Sequence, residues 1–226
     1  MTVWGEYETE CAVCGQTSGQ AAIHSTSFWG SPGLDTRPPE PDGSHINKHI
    51  QRCPGCGYCA PDVSDGRPEL LEPLKTDSYR SQLESPDFPE AANSYLCWSL
   101  IEENHGEYAS AGFACVRAAW VCDDASLDPS ARHRRRRAVA LLERAREGGK
   151  AFAGQIGGEE ALLADLLRRS GDFQPALAFC QLGLERAPEK IVSLVLRFEE
   201  TLVARSDVAH HTLDEAVLSF GKEGWL

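Results

Sequence analysis

No stretch of about 18 consecutive apolar residues, the length needed to cross a bilayer as a helix, occurs anywhere in this 226-residue chain. Its first residues, Met1-Thr2-Val3-Trp4-Gly5-Glu6-Tyr7-Glu8, carry neither the basic start nor the apolar core of a secretory signal. The expectation is a cytoplasmic protein with no membrane partner. Positive charge is also scarce. Lys and Arg number 22 against 34 Asp and Glu, a formal charge of −12. Up to Lys75 there are five basic and ten acidic residues, and beyond it 17 and 24, so neither half is a basic module and bulk nucleic-acid binding is disfavoured. Catalytic signatures are absent too: there is no glycine-rich phosphate loop, no Gly-x-Ser-x-Gly elbow and no His-Glu-x-x-His. Glu102, Glu103 and His105 gather near a turn glycine, but this is also the composition of an ordinary helix C-terminus. The sequence reads as non-enzymatic.

What the chain does have is cysteine, nine in all. Two spacings stand out: Cys11-Ala12-Val13-Cys14-Gly15 and Cys53-Pro54-Gly55-Cys56-Gly57. A Cys-x-x-Cys-Gly turn points both sulfurs at a common centre, and the glycine lets backbone amides turn toward the thiolates. Two such knuckles make the tetrahedral four-sulfur shell that Zn²⁺ prefers. Cys11, Cys14, Cys53 and Cys56 are therefore the expected ligands of one structural zinc ion, with no coordination position left for a substrate. A redox Cys-x-x-Cys would be a single pair at a helix N-terminus. Cys59, three residues after Cys56, is either a spare thiol beside the metal or a packed core residue, and the second reading is simpler. Cys97, Cys115, Cys122 and Cys180 fall inside apolar helical patterns and read as small buried hydrophobes. His24, His45 and His49 lie between the knuckles without a ligand-pair spacing and read as solvated.

Residues 1–60 are expected to form the metal domain, with strands at 23–28 and 45–52 feeding the knuckles and a Pro/Gly-rich loop between them. Residues 61–88 read as a connector with one short helix near 78–84. From Pro89 to the end the periodicity is helical. Tyr95, Trp98 and Ile101 share a stripe, a break follows at His105-Gly106-Glu107-Tyr108, and Ala111, Cys115, Ala118 and Ala119 begin another stripe. A second hairpin runs from Ala161 through Ser170-Gly171-Asp172-Phe173 to a stop at Pro188, with the turn, Ala176 and Pro188 spaced as in a tetratricopeptide unit. Gly106 and Gly171 are 65 positions apart, nearly twice the ~34-residue repeat. The intervening helix, at 130–147, begins with Arg132-His133-Arg134-Arg135-Arg136-Arg137. Further helices are expected at 191–204 and 213–220. The fold class is α+β, mainly α: a small β zinc ribbon followed by a tetratricopeptide-like solenoid of helical hairpins.

Leu34-Asp35-Thr36-Arg37-Pro38, the knuckle Gln51-Arg52-Cys53-Pro54-Gly55-Cys56-Gly57-Tyr58-Cys59-Ala60, Arg117-Ala118-Ala119-Trp120 and Leu166-Leu167-Arg168-Arg169-Ser170-Gly171-Asp172-Phe173 together resemble the prokaryotic family known as domain of unknown function 2225. The resemblance spans roughly Cys11 to Pro188. It implies an N-terminal four-cysteine ribbon joined to tetratricopeptide-like helices, and it implies no activity.

The functional expectation is an adaptor or scaffold that binds a protein or peptide in a groove between stacked hairpins. The groove would be lined by the first helix of each hairpin, with Asn93, Glu102, Asp165 and Arg169 as contacts. A single-stranded RNA- or DNA-binding ribbon, with the arginine run tracking phosphates, is the rival reading. A thiol-based redox sensor using Cys59 is a third. Trp98 and Trp120 read as core aromatics, while Trp4, Trp29 and Trp225 fall in loops or termini.

Overall fold

A computed structural model describes residues 3–25 and 27–220, and for residues 3, 4 and 22–24 the backbone only. Two antiparallel hairpins come first. β1 (Val3–Glu10) pairs with β2 (Thr17–Ser25) from Val3↔Ser25 to Glu10↔Thr17, and the short β3 (Gln51–Arg52) pairs with β4 (Cys59–Ala60). Eight α-helices follow among the described residues: α1 (Asp77–Leu83), α2 (Glu90–Asn104), α3 (Tyr108–Asp124), α4 (Asp128–Glu147), α5 (Gly158–Arg169), α6 (Phe173–Glu185), α7 (Lys190–Ala204) and α8 (Leu213–Phe220). The fold is α+β and mainly α, as the periodicity indicates. No helix among the described residues is long and apolar enough to cross a membrane.

Helix ends are set by one recurring device. After α2 the Glu107 N–H bonds the Glu102 carbonyl, and after α5 the Asp172 N–H bonds the Leu167 carbonyl, each closing over a glycine with positive φ, Gly106 at 76° and Gly171 at 82°. This is the Schellman closure, in which a left-handed residue turns the chain and satisfies a carbonyl the helix leaves open. The same closure ends α3 and α7, but the left-handed residue there is a serine, Ser126 and Ser206. α4 ends likewise over Gly149, with the Lys150 N–H bonding the Ala145 carbonyl, so glycine punctuation in the sequence marks three of these five turns.

The strand expectations need correction. Residues 43–48 form a 3-10 helix, leaving only Gln51–Arg52 extended. Ile46 and Ile50 are both buried in the helical core while Lys48 between them is exposed, so the period-two burial of a half-buried strand is not met. The other expected strand, 23–28, begins earlier, at Thr17, because it pairs along β1, and it ends at Ser25. Phe28 and Trp29 beyond it are exposed.

Packing does not respect the expected boundaries. One core joins the knuckles to the connector and α2 through Cys11, Val13, Cys53, Leu74, Leu83, Cys97 and Ile101. The largest core lies among α2 to α5 and takes in Ile46 and Ile50 from between the knuckles. A third gathers α5 to α8 around Leu34. α2 is buried almost all round, which is why its apolar stripe is indistinct in the sequence. α4 packs along α3 and continues onto α5, filling the space between the two hairpins.

Candidate metal centre

Each Cys-x-x-Cys is the turn of a hairpin. Cys11 directly follows β1 and Cys53 directly follows β3, and the two turns are built alike. The Cys11 N–H bonds the Gln16 carbonyl at 3.0 Å and the Gly15 N–H bonds the Cys11 carbonyl at 2.7 Å. The matching bonds of the second turn, from Cys53 N–H to the Tyr58 carbonyl and from Gly57 N–H to the Cys53 carbonyl, are both 2.9 Å. Gly15 and Gly57 have φ of 75° and 80°, a conformation that a side chain resists.

The four sulfurs lie within 4.8 Å of one another. Cys11 Sγ is 3.8 Å from Cys56 Sγ, and Cys14 Sγ is 3.6 Å from Cys53 Sγ. Four sulfurs at ~2.3 Å from a tetrahedral metal are about 3.8 Å apart, so the spacing fits a thiophilic ion such as zinc. All four positions of such an ion would be taken by protein.

The electrostatics match that use. Burial pushes the Cys11 and Cys56 thiols up. For Cys53 burial is outweighed by the backbone amides of Cys56 and Gly55 and by the neighbouring thiols, so it lies below its ordinary value. Gathering four such groups without a cation is unfavourable, and a divalent ion removes the conflict by holding all four as thiolates. The connector braces the second turn: Tyr79 Oη donates to the Gly57 carbonyl at 2.9 Å, and Arg80 Nη2 to the Cys56 carbonyl at 3.0 Å. Its 3-10 turn at Val63–Asp65 braces the first, with the Ala12 N–H bonding the Val63 carbonyl at 3.0 Å.

The other candidates lie elsewhere. His45 Nδ1 is 2.6 Å from the Pro41 carbonyl and His49 Nε2 is 2.8 Å from Asp42, so neither joins the sulfurs; the His24 side chain and Trp225 lie outside the described residues. Cys59 is fully buried, its Sγ facing the Gly57 carbonyl at 3.4 Å, and Cys97, Cys115, Cys122 and Cys180 are buried as expected. Glu103 pairs with Arg137 and Arg144, which accounts for its place at the end of α2. The arginine run is largely committed inside the molecule. Arg135 pairs with Asp123, Arg136 with Asp172 and Arg137 with Glu103, and Arg134 lies over the Phe88 ring at 5.0 Å.

The expected groove on α2 and α5 is corrected. Asn93, Asp165 and Arg169 are all buried, while Glu102 is half-buried. Asn93 is hydrogen-bonded to Gln82 and the Ser85 carbonyl, Asp165 is paired with Arg168, and Arg169 with Asp35 and Asp123. α5 packs against α4, α6, α7 and the loop between the knuckles, and Asp165 and Arg169 spend their charges on that packing.

That loop carries a feature the motifs did not reveal. Asp35 is fully buried and accepts from Arg169 Nη1 and from Trp120 Nε1, the latter at 2.7 Å. Arg169 also reaches Asp123 at 2.8 Å, and Asp123 binds Arg135. Arg37 donates to both oxygens of Asp124 at 2.8 Å. Main-chain bonds from Leu34 N–H to the His211 carbonyl and from Leu213 N–H to the Pro32 carbonyl add the start of α8. The partners of Asp35 are 85 and 134 residues away, so no local spacing announces them.

No family model, curated protein or solved structure matches this chain.

Proposed function

We propose that the chain is a zinc-dependent scaffold that binds a segment of a partner protein, with the metal in a structural role at Cys11, Cys14, Cys53 and Cys56. The four-sulfur group carries this reading: it offers an ion no open position, so the ion's use is to hold the hairpin turns against α1 and α2. The wall so positioned faces a cleft of about 640 Å³ between β2, β3 and the 3-10 helix on one side and α2 and α3 on the other. Gln20, Ser44, Asn47, Arg52, Glu90 and Ser94 line it. This mixture of donors and acceptors suits the main chain of an extended peptide, and the Arg52–Glu90 pair, 3.8 Å apart with Arg52 half-buried and Glu90 open to solvent, is available for exchange with a partner's charges. The internal pairing of the arginine run weighs against phosphate tracking, and the burial of Cys59 leaves an oxidant no path to its sulfur.

Selection from a displayed peptide library on the zinc-loaded protein, repeated with Arg52→Glu and Glu90→Lys, tests the reading. A consensus peptide whose binding is lost in either variant supports it. No enrichment, or binding indifferent to both substitutions, contradicts it. Capture of single-stranded RNA or DNA with an affinity that falls steeply with salt would favour the rival.

A further inference from the structure

A second cleft, of about 430 Å³, lies on another face of the loop between the knuckles and makes no use of the four sulfurs. Its walls are aromatic. Tyr95 and Trp98 from α2 and Phe113 and Trp120 from α3 line it, closed off by Pro38, Ile46 and Pro61. One cation stands among them: the Arg117 guanidinium lies over the Trp98 ring, 5.7 Å from its centroid. Arginines elsewhere in the molecule show what is unusual here. Arg135, Arg168 and Arg169, all buried, each bind carboxylate, as do Arg136, Arg137, Arg144 and Arg186 on the surface. Arg117 makes no ion pair and no hydrogen bond among the described residues, although it is more than half withdrawn from water. Burial lowers its pKa without a carboxylate to offset the cost, yet an arginine stays charged.

Apart from the Thr36 hydroxyl, the other polar side chains of the cleft are already engaged. Tyr95 Oη donates to the Ile46 carbonyl at 2.8 Å and Trp120 Nε1 to Asp35 at 2.7 Å. The lining carboxylate, Asp42, is bound by His49 Nε2 at 2.8 Å. A desolvated guanidinium with free donors, set in apolar walls, is most stabilised by an anion whose body is itself apolar. The volume is in the range of small-molecule sites.

We propose that this cleft binds a small aromatic carboxylate, its acid group on Arg117 and its ring against Trp98 and Phe113. The cleft includes none of the four cysteines and shares no lining residue with the partner cleft. Calorimetric titration of the full chain with indole-3-acetate and with its neutral isostere indole-3-acetamide isolates the charge. The expected result is saturable one-to-one binding of the acetate, at least about tenfold tighter than the amide. Arg117→Gln is expected to abolish that preference and Arg117→Lys to keep part of it, with far-UV spectra and melting temperatures showing that both variants fold. Trp98→Leu is expected to weaken acetate and amide alike. Equal affinity for acetate and amide in the unaltered protein, no binding of either up to about 1 mM, or a preference that survives Arg117→Gln would overturn the assignment.

Discussion

Two polar clusters fasten the N-terminal quarter of this chain to its helices, and they do so by opposite means. Where the two ends of the loop between the knuckles meet, four sulfurs converge, and nearly every residue of the arrangement is visible as a local pattern. In the middle of that loop, Asp35 is buried on Arg169, Trp120 and, through Arg169, Asp123 and Arg135, residues scattered over α3, α4 and α5. The sulfur cluster draws its strength from an ion that the unfolded chain cannot hold as tightly, so its contribution rises and falls with metal. The carboxylate cluster carries its counterions in its own sequence. Removing a single partner there leaves a charge stranded in the core.

The largest effect is expected from breaking the sulfur cluster. Cys53→Ser, or an excess of chelator, should lower the melting temperature by more than about 10 °C, because several kcal/mol of metal-linked stability are lost in a chain of this size. Cys11, Cys53, Leu83, Cys97 and Ile101 share one core. Tryptophan fluorescence and far-UV circular dichroism should therefore shift together. A change confined to the knuckles, with helical melting unmoved, would show that the two parts are separable.

Asp35→Ala should cost about 3–5 kcal/mol in urea denaturation by leaving the buried guanidiniums of Arg135 and Arg169 to share Asp123. The pair Asp35→Leu with Arg169→Met should cost clearly less than the sum of the single changes, and additivity would mean that the contact is energetically idle.

Acidity separates the clusters further. For Asp35 burial alone would raise the pKa, but the Arg169 guanidinium, with His210, Arg135 and the Trp120 N–H, holds it below its ordinary value of 3.8. A depressed carboxylate stabilises the fold above its unfolded pKa, and that stability is lost as pH falls through the folded value. Glu199 behaves in the opposite way. It shares the single buried guanidinium of Arg168 with Asp165, and burial and the Asp165 charge raise its pKa well above 4.5. The fold therefore favours protonated Glu199 and loses stability as pH rises from the unfolded value toward the folded one. Asp35→Asn should flatten the acid limb of stability against pH, leaving what thiolate protonation contributes, and Glu199→Gln should flatten the decline on the alkaline side. Stability curves of either variant parallel to the parent's would contradict the assignment for that residue.

The smallest effects concern the helix ends. Ser126→Gly and Ser206→Gly replace left-handed serines, with φ of 57° and 53°, by the residue that tolerates the conformation, and each should gain up to about 1 kcal/mol. A loss of stability would mean that the serine side chains contribute more than the backbone gains.

These contrasts explain what the sequence could disclose. The helices were legible because each carries a 3.6-residue stripe or glycine punctuation, and α7 and α8 fall within one residue of where the periodicity places them. The metal ligands were legible because a Cys-x-x-Cys-Gly turn is a local object. β1 was not, since Trp4-Gly5-Glu6-Tyr7-Glu8 alternates without burying a clear face: residues 5–10 are exposed or half-buried. The groove on α5 failed for a physical reason. Asp165, Arg168 and Arg169 look like solvent-facing charges on an amphipathic helix, but Arg168 binds Glu199 as well as Asp165 beside it, and Arg169 binds Asp35 and Asp123, partners distant in sequence that turn this polarity into an ionic core. Asp35, in a Pro/Gly-rich loop, gave no sign of its partners.

The X-ray absorption spectrum at the zinc edge, recorded on protein purified without chelators and paired with its zinc content, tests the central claim most directly. One zinc per chain with a first shell of four sulfurs at about 2.3 Å is the expected result. A folded protein without metal, or a shell containing nitrogen or oxygen, would contradict it.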